Sequence, residues 1–139
     1  KMIRTSQDVN ISNRERAMIA NDSNCVAFIR LHCNSADSSN ASGTLTIAPS
    51  INNPYCSQIA EASYNLSKCV VDNICSQTGS KNRGVMINDT MSGINWCKVP
   101  VTIVEMGFLS NCEEDRLLSD SSYQDKIVNG IVKGINEYM

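Results

Sequence analysis

The sequence has one histidine, and none of its seven cysteines forms a CxxC pair. That spacing argues against a cysteine-rich zinc site. There is no HExxH helix, no GxSxG elbow and no glycine-rich phosphate loop. The metalloprotease, α/β-hydrolase and nucleotide-binding arrangements that depend on those motifs are absent with them. Basic residues are not in excess: the formal net charge is −2, which argues against a nucleic-acid binder with its usual basic stripe. No apolar run approaches the ~20 residues that a membrane-crossing helix needs, and no secretory leader pattern is visible.

What is present describes an ordinary globular domain. The chain has 139 residues, 42% of them hydrophobic and 19% charged, enough for one domain with one core. The cysteines, at positions 25, 33, 56, 69, 75, 97 and 112, read mostly as small buried hydrophobes. As free thiols they suit a reducing environment, or an exported protein of an organism that lives without oxygen. N-x-S/T sequons begin at Asn10, Asn21, Asn40, Asn65 and Asn88, and matter only in a eukaryotic secretory pathway.

Hydrophobic spacing sets the expected order of elements. Residues 1–5 (KMIRT) read as the tail of a strand. Ser12 and Glu15 form a capping box that opens a helix to about Asn21. Residues 26–31 (VAFIRL) read as a strand covered on both faces. A polar loop, residues 35–43, leads to a short strand at 44–48. From Pro54 the apolar positions recur with helical spacing up to Gly79, a natural stop. Residues 84–87 form a further short strand. Residues 99–104, β-branched at nearly every position, are the clearest strand, with Pro100 at its entrance. Glu105 is expected at its end, followed by a Met-Gly turn. Asn111 caps a short helix to Leu118 with Glu113, Glu114 and Asp115 in its first turn. Ser121 or Ser122 caps a last helix with Ile127, Val128, Ile131, Val132, Ile135 and Tyr138 on its apolar face. Strands alternating with helices predict an α/β layer fold.

In such sheets ligands sit beyond the carboxyl ends of the strands. One strand end delivers His32, the other Glu105. On parallel neighbours they would reach one crevice, an imidazole able to bind a metal and a carboxylate able to take a proton from an attacking water. The residues alone leave plainer readings open: His32 as a hydrogen-bonded structural residue, Glu105 as a solvated residue at a turn. Cys33, adjacent to His32 on extended chain, points to the opposite face.

Four stretches in order resemble the catalytic domain of the zinc-dependent N-acetylmuramoyl-L-alanine amidases: RTSQDVNISNRERAMIAN from Arg4, FIRLHCNSA from Phe28, RGV from Arg83, and VPVTIVEMGFLSNCEEDRLL from Val99. SGTLT from Ser42 and the terminal helix also fit. The resemblance implies a single catalytic domain over residues 1–139, with a three-layer α/β/α fold and a mixed, mostly parallel sheet. It implies hydrolysis of the amide between N-acetylmuramic acid and L-alanine in peptidoglycan, by a secreted, wall-associated or phage-delivered enzyme. It makes His32 a ligand of Zn2+ and Glu105 the catalytic glutamate, and puts Asn34 and Arg83 near the cleft on the substrate side.

The departure from the family lies in the other zinc ligands. These come from a histidine in an Asp-Pro-Gly-His-Gly-like turn and a glutamate opening the next helix, and the 139 residues contain neither. Residues 1–5 match the strand that comes after that helix. The expectation is that roughly 40 residues, the size of a strand-helix unit, stand outside this chain as a missing or cleaved N-terminal segment carrying the remaining ligands. Arg30 also departs, replacing a small polar residue and sharing a strand face with His32. The competing expectations are a metal-free module that binds or regulates at peptidoglycan, a fragment inactive by itself, or another zinc hydrolase such as a carboxypeptidase.

Overall fold

A computed structural model describes residues 1–139. Its elements are α1 (Asn13–Asn21), β1 (Phe28–Asn34), β2 (Thr44–Ala48), α2 (Ala60–Thr78), β3 (Asn82–Ile87), α3 (Ser92–Asn95), β4 (Val101–Phe108), α4 (Cys112–Leu118) and α5 (Ser121–Tyr138). The strands form one sheet in the order β1-β4-β2-β3. β1 runs parallel to β4 and β2 parallel to β3, and the two pairs meet antiparallel at β2 and β4. The sheet is therefore mixed and mostly parallel, as expected.

Helices cover both faces, giving three layers. On one face Leu66, Val70 and Ile74 of α2 and Tyr123, Ile127 and Ile131 of α5 pack with Val104. Glycines allow α5 to approach α2 closely: a Cβ on Gly130 would lie 2.5 Å from the Ile74 Cα, and one on Gly134 would lie 2.6 Å from the Val70 Cα. Hydroxyls buried under α2 are satisfied in place. Thr46 donates to the Ser67 carbonyl, Ser67 donates to Thr102, and Ser63 accepts from the Val101 N–H. On the other face Ala17 and Ala20 of α1 and Ile94 of α3 close over Phe28, Leu45, Ile47, Val101, Ile103 and Phe108.

Several sequence expectations hold. The Ser12–Glu15 capping box is formed in full. Gly79 ends α2 in the left-handed region at φ 75°, and Asn111 caps α4. Five of the seven cysteines are wholly or partly buried, and all are free. Burial raises the Cys56 and Cys97 thiols to about 11 and about 12, so they act as packing atoms.

Other expectations are corrected. Residues 1–5 form no strand, because a strand exists only through its ladder and these residues join none. β1 lies at the sheet's edge and is not covered on both faces: Leu31 is 54% exposed. The helix expected from Pro54 starts later, after a 3₁₀ turn at Ser57–Ile59, because the Asn53 side chain holds the N–H groups of Tyr55 and Cys56. Asp120, not a serine, caps α5 by accepting from the Tyr123 N–H. The short α3 has no counterpart in the sequence reading. Finally, β4 does not end at Glu105 but continues to Phe108.

Candidate functional site

The parallel pairing of β1 with β4 sets His32 opposite Glu105 in register. In-register partners on parallel strands project to the same face. Here that face carries Phe28, Arg30 and His32 on β1 and Val101, Ile103 and Glu105 on β4, the apolar members of which pack beneath α1 and α3. The row is apolar at its base and ends in an imidazole and a carboxylate.

The Met-Gly step expected to be a turn is a bulge. His32 pairs with Glu105, but Asn34 pairs with Phe108, so β4 holds one residue more than β1 across this interval. An extra residue reverses the facing of the residues beyond it. Phe108 accordingly joins the buried cluster on the Glu105 side. Over its ring, at 5.2 Å from the centroid, lies the Arg83 guanidinium, whose Nη1 donates to the Ser42 carbonyl at 3.2 Å. Asn34 stands at the rim. Its carbonyl accepts from the Leu109 N–H at 2.8 Å, and its side-chain oxygen accepts from the Ser35 N–H at 2.8 Å. The four residues singled out by the sequence thus occupy one end of the sheet.

Electrostatics at this end favour uncharged forms. Burial raises the Glu105 carboxyl above its ordinary range, and its Oε2 is buried with no hydrogen-bond partner. His32 is held low, first by loss of water around the ring and then by the charges of Arg30 and Arg16, so it is a neutral imidazole at neutral pH. Arg30 itself is 6% exposed. Its Nη2 donates to the Asn13 side-chain oxygen at 2.6 Å, and it lies against Gly93, where a Cβ would fall 1.2 Å from Nη1. No carboxylate pairs with it, the one ion pair being Lys68 with Asp72 on α2.

The donor set decides what metal this end can hold. The orphaned Glu105 oxygen and the neutral imidazole are the kinds of atom that face a metal-bound water. Yet no three His, Cys, Asp or Glu side chains cluster closely enough to bind an ion. Cys33 does not fill the gap, since it neighbours His32 on an extended strand and its side chain faces the other way. A catalytic zinc needs three protein ligands, so the residues of this chain do not make a zinc site among themselves.

Sequence reasoning misses one residue here. In sequence Glu114 is only an acid favourable to the α4 dipole, but its carboxylate accepts the N–H groups of both Gly43 and Phe108. The signal is present in outline: a helix capped at Asn111 directly after the strand carrying Glu105 aims its first-turn side chains back at that strand.

Known proteins resemble this chain in sequence and in fold. The sequence pattern described as N-acetylmuramoyl-L-alanine amidase matches residues 1–137. Protein YqiI of Bacillus subtilis (strain 168) is 29% identical over 133 residues, covering 96% of this chain and 61% of the relative. The CwlD amidase from Clostridioides difficile, solved in complex with the GerS lipoprotein, superposes with a TM-score of 0.79 at 31% identity, over 90% of this chain and 60% of that one. The catalytic domain of CwlV, the N-acetylmuramoyl-L-alanine amidase from Bacillus (Paenibacillus) polymyxa var. colistinus, gives 0.82 at 27% identity, over 96% and 69%. The chain thus spans about three fifths of YqiI and of the CwlD chain.

Proposed function

Because the chain belongs to the N-acetylmuramoyl-L-alanine amidase family, we propose that it carries the acid–base half of a peptidoglycan amidase active site. The observation that supports this most is the half-buried Glu105 carboxylate, raised by burial and with an unpartnered oxygen, in register with His32. A carboxylate tuned upward is suited to take a proton from water and give one up again near neutral pH. In the reaction, water adds to the carbonyl of the lactyl–alanine amide while Glu105 accepts its proton. The same carboxyl then protonates the departing alanine nitrogen as the C–N bond breaks. The products are a lactyl carboxyl on muramic acid and a free alanine amine.

Zinc enters as the family's cofactor, with His32 offering one neutral nitrogen ligand. The other protein ligands then have to come from residues other than these 139. On this reading Arg83, exposed above Phe108, holds a carboxylate of the stem peptide and Asn34 lines the rim. The setting of such chemistry is the cell wall, secreted or wall-associated. No helix of the chain is long and apolar enough to cross a membrane.

Incubation with purified peptidoglycan, alone and with zinc, tests this directly. New alanine amines and lactyl-muramic ends are expected, and Glu105→Gln is expected to remove them with a loss of at least about 100-fold. Substantial remaining hydrolysis in the variant would remove Glu105 from its role. The incomplete ligand set favours one second reading, a metal-free peptidoglycan-binding module. Saturable binding to the wall with no new amine at any zinc concentration would select it.

A further inference from the structure

We infer that Glu114 is the positioning residue that holds the Arg83–Phe108 wall of the cleft against Glu105. From Ile103 to Glu105, β4 is paired on both sides, with His32 opposite Glu105 on β1 and Leu45 opposite it on β2. Beyond it β2 pairs with β4 no further, and β1 resumes one residue out of step at Asn34 and Phe108. There the Phe108 N–H donates to Glu114 Oε2 at 2.7 Å. The other oxygen, Oε1, accepts the N–H of Gly43 at 2.7 Å, just before β2 begins. One carboxylate therefore ties the end of β4 to the residue before β2 where their pairing has stopped, alongside the Thr44 hydroxyl, which donates to the Met106 carbonyl at 3.2 Å.

The tie is built closely. Asn111 accepts the N–H groups of Glu113 and Glu114 and so fixes the first turn of α4. A Cβ on Gly107 would come 3.3 Å from Glu114 Oε2. Gly43 sits at φ +111°, where a Cβ would lie 2.5 Å from the Lys81 carbonyl oxygen. Only glycine suits that position.

Arg83 depends on both tied segments. Its guanidinium stacks over Phe108 and donates to Ser42, the neighbour of Gly43. Glu114 is the hydrogen-bond partner the two supports share, while Phe108 is paired with Asn34 as well. The two-donor geometry needs an acceptor at each oxygen. Glutamine offers one oxygen and turns an NH2 toward an N–H, and aspartate is a methylene too short to reach both.

The inference rests on the reading of Arg83 as a substrate-side residue, and its test separates the two. Amide exchange by NMR on the 139-residue chain should speed about tenfold or more at Gly43 and Phe108 in Glu114→Gln and Glu114→Asp. Val70 and Ile131 should stay protected, and the cross-relaxation between Arg83 and the Phe108 ring should disappear. For a soluble muramoyl peptide, Glu114→Gln should weaken binding as much as Arg83→Ala, with the double variant no weaker than either. Unchanged exchange, a retained Arg83–Phe108 contact or additive binding losses would each overturn the inference. Should the wild-type chain bind no muramoyl peptide, the functional reading fails, while exchange and the ring contact still decide what Glu114 holds.

Discussion

His32 and Glu105 face each other across the β1–β4 ladder, in register, and each is pulled toward its uncharged form. Burial raises the half-buried carboxyl, partial loss of water lowers the imidazole at the exposed end of β1, and no ion pair joins the two. A neutral nitrogen beside a carboxylate ready to accept a proton is the combination that hydrolytic chemistry needs.

Glu105→Gln should change stability in a pH-dependent way. The folded carboxyl titrates above its ordinary 4.5, so folding favours its protonated form. That favourable contribution is full below the ordinary value and is lost as pH rises through the folded value. Wild type and variant should melt alike below about pH 4, and the variant should melt higher as pH climbs toward 7. Melting curves across this range are the check. A variant that melts lower at pH 7 would mean that the charged carboxylate gains from a partner.

The single histidine gives a single, clean NMR titration. Its midpoint should lie below the ordinary 6.5, because lost hydration and then Arg30 and Arg16 oppose the cation. Arg30→Met should move the midpoint part of the way back. The same substitution should leave the melting temperature unchanged or raised, since it removes a buried guanidinium with no carboxylate partner. An unmoved midpoint would show that the Arg30 charge is screened from the ring.

Gly130→Ala should destabilise the fold by about 1–3 kcal/mol or more through overpacking. The added methyl meets the backbone of Ile74, which has little room to shift. Urea unfolding of Gly130→Ala and Gly134→Ala measures it. Wild-type midpoints in both would mean that α5 can slide on α2.

Zinc should bind the 139-residue chain weakly, and His32→Ala should abolish what binding there is. Equilibrium dialysis reads both. A 1:1 complex with affinity on the order of nanomolar would show that the chain assembles a full ligand set in solution.

Much of the fold is legible in the sequence because it is written locally. The capping box at Ser12, the helical spacing up to Gly79 and the β-branched run before Glu105 each specify their element over a few residues. His32 and Glu105 can be paired because each sits on a recognisable strand, although both strands run two or three residues further than their spacing suggests. The illegible parts depend on partners distant in sequence. Residues 1–5 look extended yet join no ladder. The bulge at Met106–Gly107 appears only once the register against β1 is known, and it re-aims Phe108 toward the site. The work of Glu114 needs the positions of Gly43 and Phe108, both set by that same pairing.

The parallel ladder has a consequence for how the molecule comes to exist. Its β1–β4 pairing joins segments some seventy residues apart, and no hairpin can bring them together. Loops that long close slowly and late, so folding should be slower than for a helical chain of this size. His32 and Glu105 meet only when the loop that carries β2, α2 and β3 has closed. Partly folded forms should therefore carry helices without the pair, and the appearance of the Glu105 environment should mark the last step of assembly.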